Sequence, residues 1–174
     1  NEEVVATLQH IEQLSDNEYG LLFDRTPLYG ESGGQSGDSG SIYLEKTDCS
    51  AIAQIIDTKR PLPELHLHIT SDATALQVGD KYRLVVNRVQ RRLTRQNHSA
   101  THLLQSALIE VLGDHVKQSG SSVSAEKMRF DFTHLQGISQ SELEQIEALI
   151  NQKIENELPV VTNVMSPEDA KSQG

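Results

Sequence analysis

Short apolar and β-branched runs separated by turn formers fill the first ninety positions. "GLLFD" (20–24), "GSIYLE" (40–45), "AIAQIID" (51–57), "ELHLHIT" (64–70) and "KYRLVVNRV" (81–89) have the length and residue types of strands. Between them lie "TP", "GESGG", "GDSG", "KRPLP" and "GD", where Gly supplies positive φ and Pro presets φ for a turn. Five short strands in this arrangement predict a small β-barrel or curled sheet over residues 1–90.

The period then changes from two to between three and four. "NHSATHLLQSALIEVLG" (97–113) predicts a helix capped by Asn97 and ended by Gly113. Ala100, Leu103, Leu104, Ala107, Leu108, Val111 and Leu112 make one apolar stripe. "HVKQSGSSVS" (115–124) follows as turn or strand. "MRFDF" (128–132) then alternates, with Phe130 and Phe132 on one face. Ser141 and Glu144 have capping-box spacing for a second helix carrying Leu143, Ile146, Ile150, Ile154 and Leu158. "PVVTNVM" (159–165) reads as a strand, and "SPEDAKSQ" opens a third helix with Ser166 at its cap and Pro167 at its first position. That helix has hardly begun at Gly174, so a fragment is expected. The fold class predicted is α+β: a small N-terminal β-barrel, then a core of helices and antiparallel sheet over residues 91–174.

Composition narrows the classes of function. No apolar run approaches the roughly 18 residues that span a bilayer. The single cysteine, Cys49, excludes an internal disulfide framework and fits a cytoplasmic setting. Aromatic residues are only 4%, which disfavours recognition by base stacking. The net charge of −10 disfavours general nucleic-acid affinity, yet "KYRLVVNRVQRRLTR" (81–95) holds six of the fifteen Lys and Arg, and no acidic residue occurs from Lys81 to Ile109. That distribution fits a protein that meets a polyanion along one edge, or a solvated basic strand.

Two features carry candidate chemistry. His98 and His102, four apart, share one helix face. At roughly 100° per residue they lie nearly opposite the apolar stripe, which leaves a solvated face or a metal site. The glutamate of an H-E-x-x-H peptidase is missing, since position 99 is serine. Thr101 and Gln105 flank the same face. Zinc needs further ligands, and Cys49, His66, His68, His115 and His134 are available without a spacing that insists on any of them. The second feature is "YGESGGQSGDSG" (29–40). It is no phosphate loop, because no Lys-Ser/Thr follows and a strand comes next. Close strands on both sides argue for a tight turn with near backbone approach over a free linker.

"RTPLYGESGGQSGD" (25–38), "NHSATHLL" (97–104), "HVKQSGS" (115–121), "RFDF" (129–132) and "LPVVTNVMSPEDAKSQG" (158–174) together resemble the editing region of bacterial alanyl-tRNA synthetases. Free-standing AlaX-type editing proteins and the threonyl-tRNA synthetase editing domain share the H-x-x-x-H element more distantly. The resemblance covers nearly the whole chain. It implies that His98 and His102 are two of four zinc ligands in a deacylase acting on Ser-tRNA(Ala) and Gly-tRNA(Ala), the family's Cys-x-x-x-His pair falling beyond Gly174. It implies that Thr101 and Gln118 line the editing pocket as catalytic-site residues, with Gly33, Gly34 and Gln35 beside the aminoacyl end.

Arg91, Arg92 and Arg95 are then expected to contact phosphates of the tRNA(Ala) acceptor stem. ATP and magnesium would belong only to the aminoacylation domain of a longer parent. With two ligands of four, weak zinc binding and an inactive fragment are expected, as is self-association through uncovered apolar surface. A free-standing AlaX-type deacylase, a non-catalytic tRNA- or protein-binding module and a structural zinc domain are the alternatives at this stage.

Overall fold

The computed structural model describes residues 2–46, 50–161 and 163–173. β1 (Glu3–Ser15) and β2 (Glu18–Phe23) form a hairpin. β3 (Gly40–Leu44) follows the glycine-rich stretch, β4 (Ala53–Ile55) and β5 (Asp57–Leu62) are separated by Ile56 alone, and β6 (Leu65–Thr70) and β7 (Lys81–Val86) complete the set. All neighbours are antiparallel, in the order β4-β3-β7-β1-β2-β6-β5. The two edge strands are consecutive in the chain, and Ile56 N–H donates to Ile69 O on β6 at 2.8 Å. The sheet therefore curls until segment 53–62 reaches both of its ends.

The curled sheet encloses a core of inward-facing alternate residues. Tyr82, Leu84 and Val86 come from β7, Ala6 and Leu8 from β1, and Ile42 and Ile55 from β3 and β4, with Leu21 and Leu28 beside them. β1 had no counterpart among the expected strands. Its Glu, Gln, Leu and Ala content is closer to that of a helix. It is a strand because β2 and β7 pair with its two edges, and tertiary pairing outweighs weak local preference. The expected strand 51–57 divides at Ile56, where the chain passes from one edge of the sheet to the other.

Beyond the sheet, α1 (Arg88–Leu112) leads to a hairpin of β8 (Gln118–Val123) and β9 (Met128–Phe132), then α2 (Gln140–Glu155) and α3 (Pro167–Gln173). Ala107 and Leu108 of α1 pack with Val116 and with Ile146 of α2, and Phe130 and Phe132 close this second core. The expected apolar stripe is thus only partly a core face. Ala100 and Leu103 instead line an open cleft with Ile154 and Arg92.

Three boundaries differ from expectation. α1 starts ten residues early, because Asn87, not Asn97, takes the extended cap conformation and its side chain accepts from Gln90 N–H. Residues 88–95 are mostly polar, with only Val89 and Leu93 apolar, and the run of branched residues before them led pattern to assign 88–89 to a strand. Asn97 lies inside the helix, and its Nδ2 donates to Ser124 O at 2.8 Å. The capping box of α2 is Ser139 with Glu142, two residues ahead of Ser141 and Glu144; Glu144 accepts from Gln140 Nε2 instead. The strand expected over 159–165 is not formed: its described residues pair with nothing and are exposed. Ser166 caps α3 as expected, accepting from Asp169 N–H.

His68 sits on β6 with no exposed surface, its ring between Leu21 O at 3.1 Å and Thr26 Oγ1 at 2.7 Å. Burial pushes its pKa down from 6.5 to about 4. The unfolded chain takes up the proton first, so this histidine's contribution is complete above about pH 6.5 and is lost as pH falls to about 4. The span corresponds to roughly 3 kcal/mol at most. Urea unfolding at pH 7 and pH 4.5 is expected to show that loss in the wild type, and a flatter profile in His68→Gln.

Candidate functional site

The glycine-rich stretch is a closed loop pinned at its base. Tyr29 N–H donates to Asp38 Oδ2 at 2.6 Å, and Asp38 N–H returns a bond to Tyr29 O at 2.9 Å. Glu31 N–H reaches Thr58 O on β5 at 2.8 Å. At its tip, Ser32 and Gln35 exchange backbone hydrogen bonds across Gly33 (φ 58°) and Gly34 (φ 83°). Two successive positive φ values make this a two-residue turn of the hairpin type, which residues other than Gly, Asn and Asp enter only with strain. Beyond the turn, Val123 N–H donates to Gly34 O at 2.8 Å and Ser36 N–H donates to Val123 O at 2.9 Å. The loop is thereby laid alongside β8.

Asp38 also anchors α1. Its carboxylate, 4% exposed, receives Arg91 Nε at 2.8 Å and Arg91 Nη2, while the same Nη2 donates to Pro27 O at 3.0 Å. The bond to Asp38 raises the Arg91 pKa further above its ordinary value. Ser39 N–H donates to Gln90 Oε1 at 3.0 Å beside it. Arg91 therefore faces the loop base, and its charge is spent there. Arg92 and Arg95 are exposed on the outer side of α1 and line an open groove with Arg88 and Glu2. Among the described residues neither has an ion-pair partner.

With loop and helix locked, the chemistry-bearing residues meet. Gly33, Gln35, His98, Thr101, His102, Gln105, Gln118, Ser121 and Val123 line one cavity of about 190 Å³. His98 Nε2 and His102 Nε2 face each other at 3.1 Å, and His98 Nδ1 lies 2.6 Å from Gln35 Oε1. Thr101 is buried, and its hydroxyl donates to Asn97 O at 2.8 Å. The proton is committed to the helix, and the oxygen keeps lone pairs free to accept. Gln118 Nε2 donates to Ser121 Oγ at 3.1 Å. Ser121 and Val123 were not anticipated. Only the register of β8 against β9 and the loop brings them here, and "SGSSV" carries no local sign of it.

Of the predicted residues, Gly33, Gln35, Thr101, Gln118 and both histidines converge. Gly34 sits just behind, in backbone contact with Val123 and Ser121. Arg91 does not join them, and Arg92 and Arg95 lie along the outer helix face. The additional donors suggested for zinc are elsewhere. His68 is in the sheet core, and His115 and His134 pair with one another at 2.8 Å. Cys49 lies outside the described residues. Two imidazole nitrogens on one tetrahedral zinc sit about 3.3 Å apart at the usual bond length, so the facing Nε2 atoms fit half a donor set. Among the described residues no group of three or more donors gathers.

The family profile of "tRNA synthetases class II (A)" matches residues 2–90, just over half of the chain. The chain belongs to that family. Its relatives carry the match past residue 90 and through the histidine pair. It is 46% identical over 155 residues to an alanine–tRNA ligase of Myxococcus xanthus, covering 88% of this chain and 17% of that protein. It is 40% identical over 176 residues to one from Acidithiobacillus ferridurans, covering 98% and 20%. A third, from Magnetococcus marinus, is 42% identical over 176 residues, again 98% and 20%. The chain thus spans about a fifth of the length of the curated relatives it matches. No described helix is long and apolar enough to cross a membrane.

The loop geometry predicts unequal roles for its two glycines. A Cβ on Gly34 would lie 2.5 Å from Ser121 O, whereas one on Gly33 would meet nothing within 4 Å. Gly33→Asn is expected to change stability by less than about 1 kcal/mol, since asparagine suits this turn position. Gly34→Ala adds backbone strain to a steric conflict, and urea unfolding should show a loss of about 2 kcal/mol or more. The clamp at the loop base predicts a second contrast. Asp38→Ala strands a half-buried guanidinium and is expected to cost about 3 kcal/mol. Breaking the exposed Arg88–Glu2 pair with Arg88→Ala should cost under about 1 kcal/mol by the same measurement.

Proposed function

We propose that this chain is the editing part of an alanine–tRNA ligase, and that its pocket hydrolyses the ester of serine or glycine wrongly attached to tRNA(Ala). The observation that carries the reading is the convergence of His98, His102, Thr101, Gln35 and Gln118, from the loop, α1 and β8, in one small polar cavity. At about 190 Å³ it falls below the roughly 300 Å³ at which drug-sized pockets begin. That size suits a seryl or glycyl group better than a whole nucleotide. The curled sheet, read as a closed β-barrel over residues 1–90, supplies the loop that walls it, and residues 91–174 supply the histidines.

In this reading His98 and His102 would hold zinc with their facing Nε2 atoms, and further donors would have to come from outside the described residues. A bound zinc supplies a Lewis acid that activates water or anchors the substrate amino group. The protein's own residues supply selection. The Thr101 oxygen, its proton already donated, accepts from a serine hydroxyl. When alanine enters, that buried acceptor stays unpaired, so this contact favours the seryl over the alanyl ester; a glycyl group, which also lacks a hydroxyl, gains nothing from it. Gln118, held by Ser121, presents its amide at the opposite wall. Arg92 and Arg95 face the acceptor-stem phosphates as positioning contacts, a task from which the Asp38 clamp removes Arg91. ATP and magnesium serve the aminoacylation part of the longer ligases. A cytoplasmic setting goes with translation.

The test is deacylation of Ser-tRNA(Ala) and Ala-tRNA(Ala) by a full-length alanine–tRNA ligase carrying changes at the matching positions. His98→Ala is expected to slow Ser-tRNA(Ala) hydrolysis by about 100-fold or more, in line with loss of a metal ligand. Thr101→Val is expected to narrow the preference for Ser-tRNA(Ala) over Ala-tRNA(Ala). Undiminished hydrolysis by His98→Ala would end the histidine assignment. Equal hydrolysis of both tRNAs by the wild type would end the editing reading.

A further inference from the structure

We infer that Gln35 acts on His98 and not on the substrate: its side-chain carbonyl sets the tautomer of the His98 ring and so aims one particular nitrogen at the metal position. Three observations support this. Gln35 Oε1 lies 2.6 Å from His98 Nδ1, and the opposite ring nitrogen, Nε2, is the one that faces His102 at 3.1 Å. An amide oxygen only accepts, so the ring must place its proton on Nδ1. That leaves the His98 Nε2 lone pair directed into the cavity.

The second observation is how firmly the acceptor is held. Gln35 exchanges both backbone hydrogen bonds with Ser32 across the turn and is bridged to Val123. Gly34 leaves no room for a side chain between the turn and Ser121 O. The backbone that carries the amide is thus fixed against β8, while the backbone that carries the ring is fixed by the Asp38–Arg91 clamp. Neither partner needs to be ordered when an ion arrives.

The third observation is the contrast with the other amides of the cavity. Gln118 is engaged with Ser121, and among the described residues no hydrogen bond joins Gln105 or Gln118 to either ring. One amide of three is therefore matched to the histidine pair. Histidines that ligate metals commonly donate their second ring N–H to a carbonyl, which fixes tautomer and orientation. In the metal-free protein the same assignment makes His102 the donor of the shared bond, through its Nε2–H.

This inference rests on the metal-binding half of the proposed function, but its first test needs neither metal nor tRNA. Long-range 1H–15N spectra of the metal-free, 15N-labelled chain at mildly alkaline pH report which ring nitrogen carries the proton, with His98 identified through His98→Gln. The expected result is Nδ1–H for His98 in the wild type and in Gln35→Glu. In Gln35→Leu the proton is expected to move to Nε2 or to average between the two, with the backbone amide spectrum otherwise preserved. His98 protonated on Nε2 in the wild type, or unchanged in Gln35→Leu, would overturn the inference.

The second test is zinc affinity of the full-length ligase, which in the proposed reading supplies the remaining donors, with each change made at the matching position and affinity read by competition with a chromophoric chelator. Gln35→Leu is expected to bind about 10- to 100-fold more weakly than wild type, and Gln35→Glu to recover most of that loss. Equal affinity in Gln35→Leu and wild type, or a wild type that binds no better than His98→Gln, also overturns it. Should both tests succeed while the full-length ligase shows no hydrolysis of Ser-tRNA(Ala), the editing reading falls and the role of Gln35 stands.

Discussion

A buried carboxylate shared between a loop and a helix holds this structure in working order. Asp38 receives the Tyr29 backbone N–H from within the loop and the Arg91 guanidinium from α1, so one side chain closes the loop and docks the helix. Both charges are largely withdrawn from water, with 4% of the Asp38 side chain and 22% of the Arg91 side chain exposed. Such a pair contributes little net stability against an apolar alternative, but removing one partner is costly. Its value is therefore register. Arg91 is seven residues before His98, about two helical turns, so the clamp sets both the height and the rotation at which the histidines meet the turn.

From that constraint the pocket follows by geometry. The turn at Gly33 and Gly34 reverses the loop within two residues, and its hydrogen bonds to Val123 run it beside β8. Three segments remote in sequence then contribute to one small cavity: an amide from the loop, two imidazoles and a hydroxyl from α1, and an amide with its serine partner from β8. The rest of the molecule is support. The curled sheet buries its own core and keeps the loop base still, and α2 packs on the face of α1 opposite the histidines.

The charge distribution is resolved in the same way. A run of six basic residues in fifteen looked like one electrostatic feature. The fold distributes it over a strand, a helix start and an outer helix face. Arg83 pairs with Glu3, Arg88 with Glu2 and Arg91 with Asp38, while Arg92 and Arg95 remain exposed along α1. Lys81 is exposed at the start of β7, and Arg92 and Arg95 share their groove with the paired Arg88 and Arg91.

Local patterns alone determined much. The histidine pair could be placed on one helix face, away from the apolar stripe, because a four-residue spacing has that consequence in any α-helix. The change from strand period to helix period, the glycine turn, the β9 alternation and the Ser166 cap were equally legible, each depending on neighbours a few residues away. Long-range pairing decided the rest. β1 is a strand only because β2 and β7 flank it, α1 begins at Asn87 because the chain leaves β7 there, and residues 159–161 and 163–165 form no strand, since no strand pairs with them. The meeting of Gln35 with His98, across sixty-three positions, has no local signature. It arises from a buried ion pair, a glycine turn and a β-bridge acting together, and these forces exist only once the chain is folded.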